Sequence, residues 1–178
     1  RAHNTLRVDS HDQNRRIAYD RDAFDVTAPA GAVWRTSATR DVADAVFSEG
    51  YGPSADRSVT HRRTIILLKR GVEALGPCLI VVDRLTMADD TPHRYQWLWH
   101  LNTETAETEG LVARSSDGGL PNLAIVPATR AALHVSIVCG QETPEFQGWK
   151  AIKNHQQGEY MPTPTAVYEC EAGGPMRM

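Results

Sequence analysis

The alternation of apolar and polar residues predicts an all-β protein, an antiparallel two-layer β-sandwich of about ten or more strands. Three observations predict it. Residues 58–102 hold the longest two-residue periodicity of the chain, broken twice by turn chemistry into SVTHRRTIILLKR, PCLIVVDRL and HRYQWLWHLN. Shorter segments of the same kind flank that block on both sides, joined by Gly, Pro and Asp turns. No amphipathic pattern of three helical turns and no fixed-period repeat interrupts them.

In chain order, residues 5–8 open a strand in which Leu6 and Val8 alternate with polar neighbours, and Asp9, Ser10, His11 and Asp12 supply the turn after it. Residues 23–26 and 32–36 are predicted as short strands parted by Pro29, Ala30 and Gly31. Residues 41–47 fit a short helix about as well as a strand; their neighbours, and the Gly50-Tyr51-Gly52-Pro53 loop that follows, favour a strand. Within 58–102, Val59, His61, Arg63, Ile65 and Leu67 fall on one side of an extended chain and Thr60, Arg62, Thr64, Ile66 and Leu68 on the other. The block therefore reads as three antiparallel strands in the middle of a sheet. On the third of them His93, Tyr95, Trp97 and Trp99 share one face, and Arg94, Gln96, Leu98 and His100 the other. Neither face is purely apolar, so one is expected to pack on something polar or on another domain. Further strands are predicted over 110–115, 123–126 and 132–139. Residues 141–165, broken by Pro144, Gly148, Gly158, Pro162 and Pro164, are expected to run as a long surface loop pinned by Phe146, Trp149 and Tyr160. Residues 166–170 close the sheet, and 173–178 are expected to be a frayed tail.

The chain has 178 residues, 41% of them hydrophobic, enough for one sizeable core, so residues 1–178 are expected to form a single domain. A net charge of -3 with scattered basic residues leaves no electrostatic footprint for nucleic acid, although a local groove for a polyanion stays open. No apolar run approaches the about 18 residues of a membrane-spanning helix, and the N-terminus carries no signal-peptide pattern. The first residues include no starting Met and lead straight into a strand pattern, so a piece of a longer chain is expected. Cys78, Cys139 and Cys170 are widely spaced, and no C-x-x-C pair exists to hold zinc. Three free thiols are expected, one disulfide being open only to an exported protein. This much predicts a soluble all-β domain and no activity.

Five segments carry more: AHNTLRVDSHDQ at 2–13, HRR at 61–63, VVDRL at 81–85, HRYQWLWHL at 93–101, and QGW at 147–149 ahead of MPTPTAVY. Their order and spacing resemble the C-terminal β-domain of the heparinase II/III-like polysaccharide lyases, a group that includes alginate and oligoalginate lyases. The resemblance covers most of the chain, and His-Asn-Thr followed by Val-Asp and Gln is its most specific part. It implies β-elimination on uronic-acid polysaccharides. A base removes the proton beside the uronate carboxylate, donors or cations neutralise that carboxylate, and an acid protonates the departing glycosidic oxygen. The resemblance also implies a cleft between an N-terminal helical toroid and the β-domain, with much of the catalytic set on the toroid and on an upstream His-x-His and Asp-x-Gly stretch. The chain is accordingly expected to be the C-terminal fragment of a lyase, inactive alone, with no catalytic residue of its own. Its implied partners are an acidic polysaccharide or oligosaccharide and the missing helical domain. A homo-oligomer is expected if the face that domain would cover is left as an apolar patch of several hundred Å². Family habit implies the periplasm or secretion, a cytoplasmic oligosaccharide lyase being the other placement. The alternative class is a non-catalytic carbohydrate-binding or adhesive β-sandwich. Neither reading assigns substrate-binding residues.

In zinc-containing relatives the His of His-Asn-Thr joins a His and an Asp from upstream strands. The resemblance therefore makes His3 the metal-site candidate and zinc the cofactor of the full-length protein. One imidazole is not a zinc site by itself, and the plain reading of His3 is a solvated residue near a terminus. Asn4 and Thr5 are expected to make turn or strand-edge bonds. His61 either reaches the metal region or bonds within the sheet, the second favoured because an outward strand face needs polar residues. Arg62 and Arg63 are open between clamping a carboxylate through the guanidinium fork and pairing with acids across strands. Trp97, Trp99 and Trp149 read as core or inter-domain packing ahead of sugar stacking. His93 and His100 lie on opposite faces and cannot share a metal.

Overall fold

A computed structural model of the chain describes residues 4–13, 31–72, 76–128, 132–152 and 159–178. Among the described residues every regular element is a strand and every strand pairing is antiparallel. No helix there is long and apolar enough to cross a membrane. In chain order the strands are β1 (Leu6–Val8), β2 (Val33–Thr36), β3 (Arg40–Phe47), β4 (Val59–Val72), β5 (Gly76–Met87), β6 (His93–His100), β7 (Ala106–Glu109), β8 (Val112–Ser115), β9 (Ala124–Ile125), β10 (His134–Val138), β11 (Trp149–Ala151), β12 (Tyr160–Pro162), β13 (Thr165–Ala172) and β14 (Met176–Arg177). The chain divides into two compact units, Arg1–Ser10 with His93–Ala172 and His11–Pro92 with Gly173–Met178.

The second unit is built on the long β4–β5 hairpin, in a five-stranded sheet of order β14-β5-β4-β3-β2. Directly opposed residues point to one face, so the register assigns the faces. Arg63 lies opposite Asp83, His61 opposite Leu85 and Val59 opposite Met87, and at this end of the sheet Val59, His61, Asp83 and Leu85 are buried. On the other face Arg62 lies directly opposite Arg84, a like-charge pair that would weaken the sheet. Asp44, one strand over and opposite Thr64, offsets it: its carboxylate takes Arg62 at 2.7 Å and accepts from the Thr64 hydroxyl at 2.5 Å. These bonds hold the Asp44 carboxyl below the ordinary range, Arg62 contributing most, with the charge of Arg84 adding to the effect. Towards the hairpin tip the apolar residues are no longer covered by described residues. Leu67 lies opposite Leu79 in the row beside the one that holds Trp34, and all three are exposed, Trp34 to 70%.

The first unit is organised around β6, second in a four-stranded sheet of order β1-β6-β13-β10. One cross-strand row runs Leu6, Trp97, Tyr168, Val135, and the next runs Val8, Tyr95, Cys170. Together with Ala166 these rows make the apolar face, with Leu6, Tyr95, Trp97 and Tyr168 fully enclosed. The opposite face carries the row Arg7, Gln96, Glu169, His134. This accounts for the polar half of β6: Arg94 and Gln96 have polar partners on this face, while Leu98, further along the same face, is buried opposite Val167. There Glu169 takes Arg94 at 2.6 Å and Gln96 at 2.9 Å, and Arg7 bonds Gln96 and Glu145. A three-stranded sheet, β7-β8-β9, covers part of the apolar face. The Tyr168 hydroxyl joins the two layers: it accepts from the Ala113 amide at 3.2 Å and lies within donating reach of the Leu111 and Ile125 carbonyl oxygens, at 3.0 and 3.1 Å.

The all-β, antiparallel class and a strand number above ten are as the sequence predicts, and layering is seen where β13 meets the three-stranded sheet. Residues 41–47 are a strand, within β3, and the cysteines are three free thiols. Three expectations fail. The third strand of the 58–102 block, β6, does not join β4 and β5 in one sheet but lies between β1 and β13, because its odd-numbered face completes the apolar rows of Leu6, Val8, Tyr168 and Cys170. Residues 141–165 are more than a surface loop, because β11 and β12 pair in a two-stranded ribbon, with Trp149 opposite Pro162 and Ala151 opposite Tyr160. The ribbon is anchored through Gly148, whose carbonyl accepts from the amides of Gly140 and Thr163. Its φ is +78° and a Cβ there would sit 2.6 Å from the Val138 carbonyl oxygen, so only glycine fits. The expected frayed tail is also paired: β14 adds to β5, Met176 opposite Leu85, because the outer edge of β5 presents backbone groups that need partners. The polar strand β7 had no apolar alternation to reveal it, and the strand expected over 23–26 lies outside the described residues.

Replacing Tyr168 with Phe keeps the ring in the core and removes the hydroxyl that joins the two sheets. A loss of about 1–3 kcal/mol is expected in urea denaturation, and an unchanged midpoint would show that this hydroxyl is not what joins them.

Candidate functional site

Among the described residues, chemistry-bearing side chains gather at three places, two enclosed and one open. The first is in the second unit, where β4 places His61 and Arg63 two residues apart on one face and β5 sets Asp83 opposite the second of them. The Asp83 carboxylate accepts from Arg63 Nε at 2.7 Å and its terminal nitrogen at 2.8 Å, and contacts His61 Nε2 at 2.7 Å. Burial pushes the Asp83 carboxyl up, but the bonds to Arg63 and then His61 outweigh it and leave the group below the ordinary carboxylate range. His61 is 4% exposed. It bonds within the sheet, as the sequence favours, and Arg62 and Arg63 both pair with acids across strands.

The second place is in the first unit, at the start of β6. His93 Nδ1 meets the Asp9 carboxylate at 2.6 Å, while the other oxygen of Asp9 accepts from the Arg94 amide at 2.9 Å. The next residue on that face, Tyr95, has its ring centre 6.2 Å from that of His93. Burial, helped by the charge of Asp9, pushes the Tyr95 phenol up to about 12, so it stays protonated at neutral pH. His93 is 6% exposed and Tyr95 fully enclosed. Both groups are therefore withdrawn from solvent in this arrangement. His100, on the other face, has Nδ1 at 2.9 Å from the Thr165 hydroxyl, and its amide donates to the Asn4 side chain at 2.7 Å. Asn4 thus makes the strand-edge bond expected of it. Trp97 is core, and Trp149 donates its Nε1 hydrogen to the Gln141 carbonyl at 2.9 Å.

The third place is open to solvent. In the first unit the turns at 102–105 and 116–120 and the side of β12 that carries Met161 line a groove of about 300 Å³. Asp117 ties the two turns together: one carboxylate oxygen accepts from the Thr103 hydroxyl at 2.6 Å and the Glu104 amide at 3.0 Å. Those two bonds, the hydroxyl first, hold the Asp117 carboxyl below its ordinary range, and its second oxygen takes no bond among the described residues. The Thr105 and Ser116 hydroxyls bond each other at 2.9 Å, and Lys150 donates to the Asn102 side chain at the rim. Leu120 and Met161, both apolar, line the same groove while 64% and 45% exposed. Sequence reasoning missed this site, its only trace being the density of Thr, Ser, Asp and Gly in two turns, which any loop shares. It also missed Asp83 as the partner of HRR, although an acid inside the apolar run VVDRL is a legible sign of a buried pair.

His3, the metal-site candidate, lies outside the described residues. Among the described residues no three His, Cys, Asp or Glu side chains converge. His61 and His93 each have one ring nitrogen on a carboxylate, and that of Asp83 is further engaged by the Arg63 fork. The described residues therefore do not assemble a zinc cage.

The buried charge predicts an acid response. With its folded pKa below the unfolded value near 3.9, Asp83 contributes stability that is complete above that value and is lost as pH falls through the folded one. Asp83→Asn, which leaves Arg63 facing a neutral amide, is expected to cost about 3 kcal/mol at pH 7. It should also flatten the fall in stability below about pH 4. Thermal melts of both proteins from pH 7 to pH 2.5 check this, and parallel curves would refute it.

The family model for the heparinase II/III-like C-terminal domain matches residues 1–155. Neither a curated protein nor a solved structure matches the chain. With the match spanning most of its 178 residues, the chain belongs to the heparinase II/III-like family and represents its C-terminal domain.

Proposed function

We propose that this chain is the β-domain of a polysaccharide lyase that cleaves uronic-acid-containing chains by β-elimination, and that it walls the substrate cleft without supplying the acid or the base. The family match carries the first half. The second half rests on the side chains best suited to the chemistry, which are committed to the sheets. His61 is held against Asp83, His93 against Asp9, and Tyr95 is enclosed with a raised pKa. β-Elimination needs a base at the carbon beside the uronate carboxylate and an acid at the glycosidic oxygen. In this proposal both come from the helical domain that the family pairs with this one, and the same domain covers part of the β-domain's surface. A non-catalytic sugar-binding module is the second reading, favoured by the open groove between the 102–105 and 116–120 turns.

Incubating the chain with alginate and with heparan sulfate, and following the ultraviolet absorbance of the unsaturated uronate product, is expected to show no turnover. Retention on an immobilised acidic polysaccharide is expected, weakening as salt is raised. Turnover above that of heat-denatured protein would place an acid and a base within these residues and overturn the proposal.

A further inference from the structure

The open groove of the first unit is furnished unlike either enclosed cluster. Its polar groups are set in place before any ligand arrives, because Asp117 bonds across the two turns and the Thr105 and Ser116 hydroxyls bond each other. One oxygen of Asp117 is committed to that scaffold, and the other is an ionised acceptor that takes no bond among the described residues. Beside these groups two apolar side chains, Leu120 and Met161, are exposed to solvent. Apolar side chains beside convergent polar groups in a concavity are the usual furniture of a small-ligand site. The combination matches a pyranose ring, which presents a C–H face to an apolar surface and hydroxyl donors at its edge to a carboxylate and to hydroxyl groups.

Charge narrows the class. Glu104 and Asp117 both line the groove, and Lys150, the nearby cation among the described residues, is engaged with Asn102 at the rim. A uronate carboxylate entering there would meet two like charges, whereas an uncharged sugar would meet only acceptors for its hydroxyls. We propose that this groove binds a neutral sugar unit. In the polysaccharide invoked above, that unit is an uncharged residue of a mixed polymer. Only this last identification rests on the lyase reading; the binding itself does not.

Saturation-transfer NMR on the whole chain tests the assignment, with cellotetraose, mannotetraose and N-acetylchitotetraose as neutral probes and a mannuronate tetramer as the acidic one. At least one neutral probe is expected to bind. The mannuronate tetramer should bind the groove at least about fivefold more weakly. Leu120→Ala combined with Met161→Ala should weaken the neutral probe about tenfold. Both side chains are exposed and lie outside the buried core, so this variant is expected to fold. Asp117→Asn keeps an acceptor for Thr103 and Glu104 and removes the charge; a several-fold loss of the neutral probe is expected with the urea midpoint little changed. Absence of binding by all three neutral probes would overturn the proposal. So would a mannuronate tetramer that binds as well as they do and is lost in the same variants. Neutral binding together with failure to retain acidic polysaccharide would sink the lyase-wall reading and leave this one standing, and the reverse pattern would sink this one alone.

Discussion

A carboxylate buried in a β-sheet has to be answered by the neighbouring strand, and Asp83 sets that condition for the second unit. Left alone it would take up a proton or cost several kcal/mol of lost hydration. The guanidinium fork of Arg63 and the imidazole of His61 keep it ionised, so β4 is committed to one register against β5. A slip of one residue would turn every side chain to the opposite face. A slip of two would restore the faces but place an aliphatic residue or His61 opposite the carboxylate and break the two-pronged pair. The same residue also holds the outer strand, since its backbone amide and carbonyl exchange hydrogen bonds with Met178. One residue therefore coordinates three strands, its side chain fixing β4 and its backbone the C-terminal strand.

In the first unit β6 shows how a strand can carry polar residues on both faces and still lie inside a fold. Its odd-numbered side chains enter the apolar face, where His93 is admitted because Asp9 meets its ring. On the other face Gln96 joins a row of Arg7, Glu169 and His134, Arg94 reaches Glu169 on the adjacent strand, and Leu98 is buried opposite Val167. Glu169 is held below the usual carboxylate range by Arg94, against the opposing effect of partial burial, with Gln96 helping. Such a row makes strand order specific, since each member is satisfied by a neighbour of matching charge or hydrogen-bonding capacity.

His61, His93 and Tyr95 are thus committed to the cohesion of these sheets. The groups left for ligands lie on turns and on a short ribbon, where side chains can face solvent without breaking a ladder of backbone bonds. Rigid strands holding a groove formed by loops is a common division of labour. It explains why, among the described residues, the open groove is lined by hydroxyls and acids and by no imidazole.

Alternation along the chain is a local property, and it was enough for the all-β class, for the central hairpin, and for the assignment of His61, Arg63, His93, Tyr95 and Trp97 to their faces. A two-residue period follows from the geometry of an extended backbone, whatever the strand pairs with. The His-Asn-Thr segment with the Val-Asp and Gln after it likewise pointed to the family, the later segments more weakly. What a period cannot carry is the identity of the partner. That Arg63 meets Asp83, that Asp9 reaches His93, and that residues 102–105 and 116–120 close around one groove with Met161 all depend on register between positions far apart in the chain. Three-residue strands such as β11 and β12, and the pairing of β14 with β5, are too short to show a period of their own. They exist because an unpaired sheet edge or a tethered turn gives their backbone groups somewhere to bond, and only the folded chain brings those groups together.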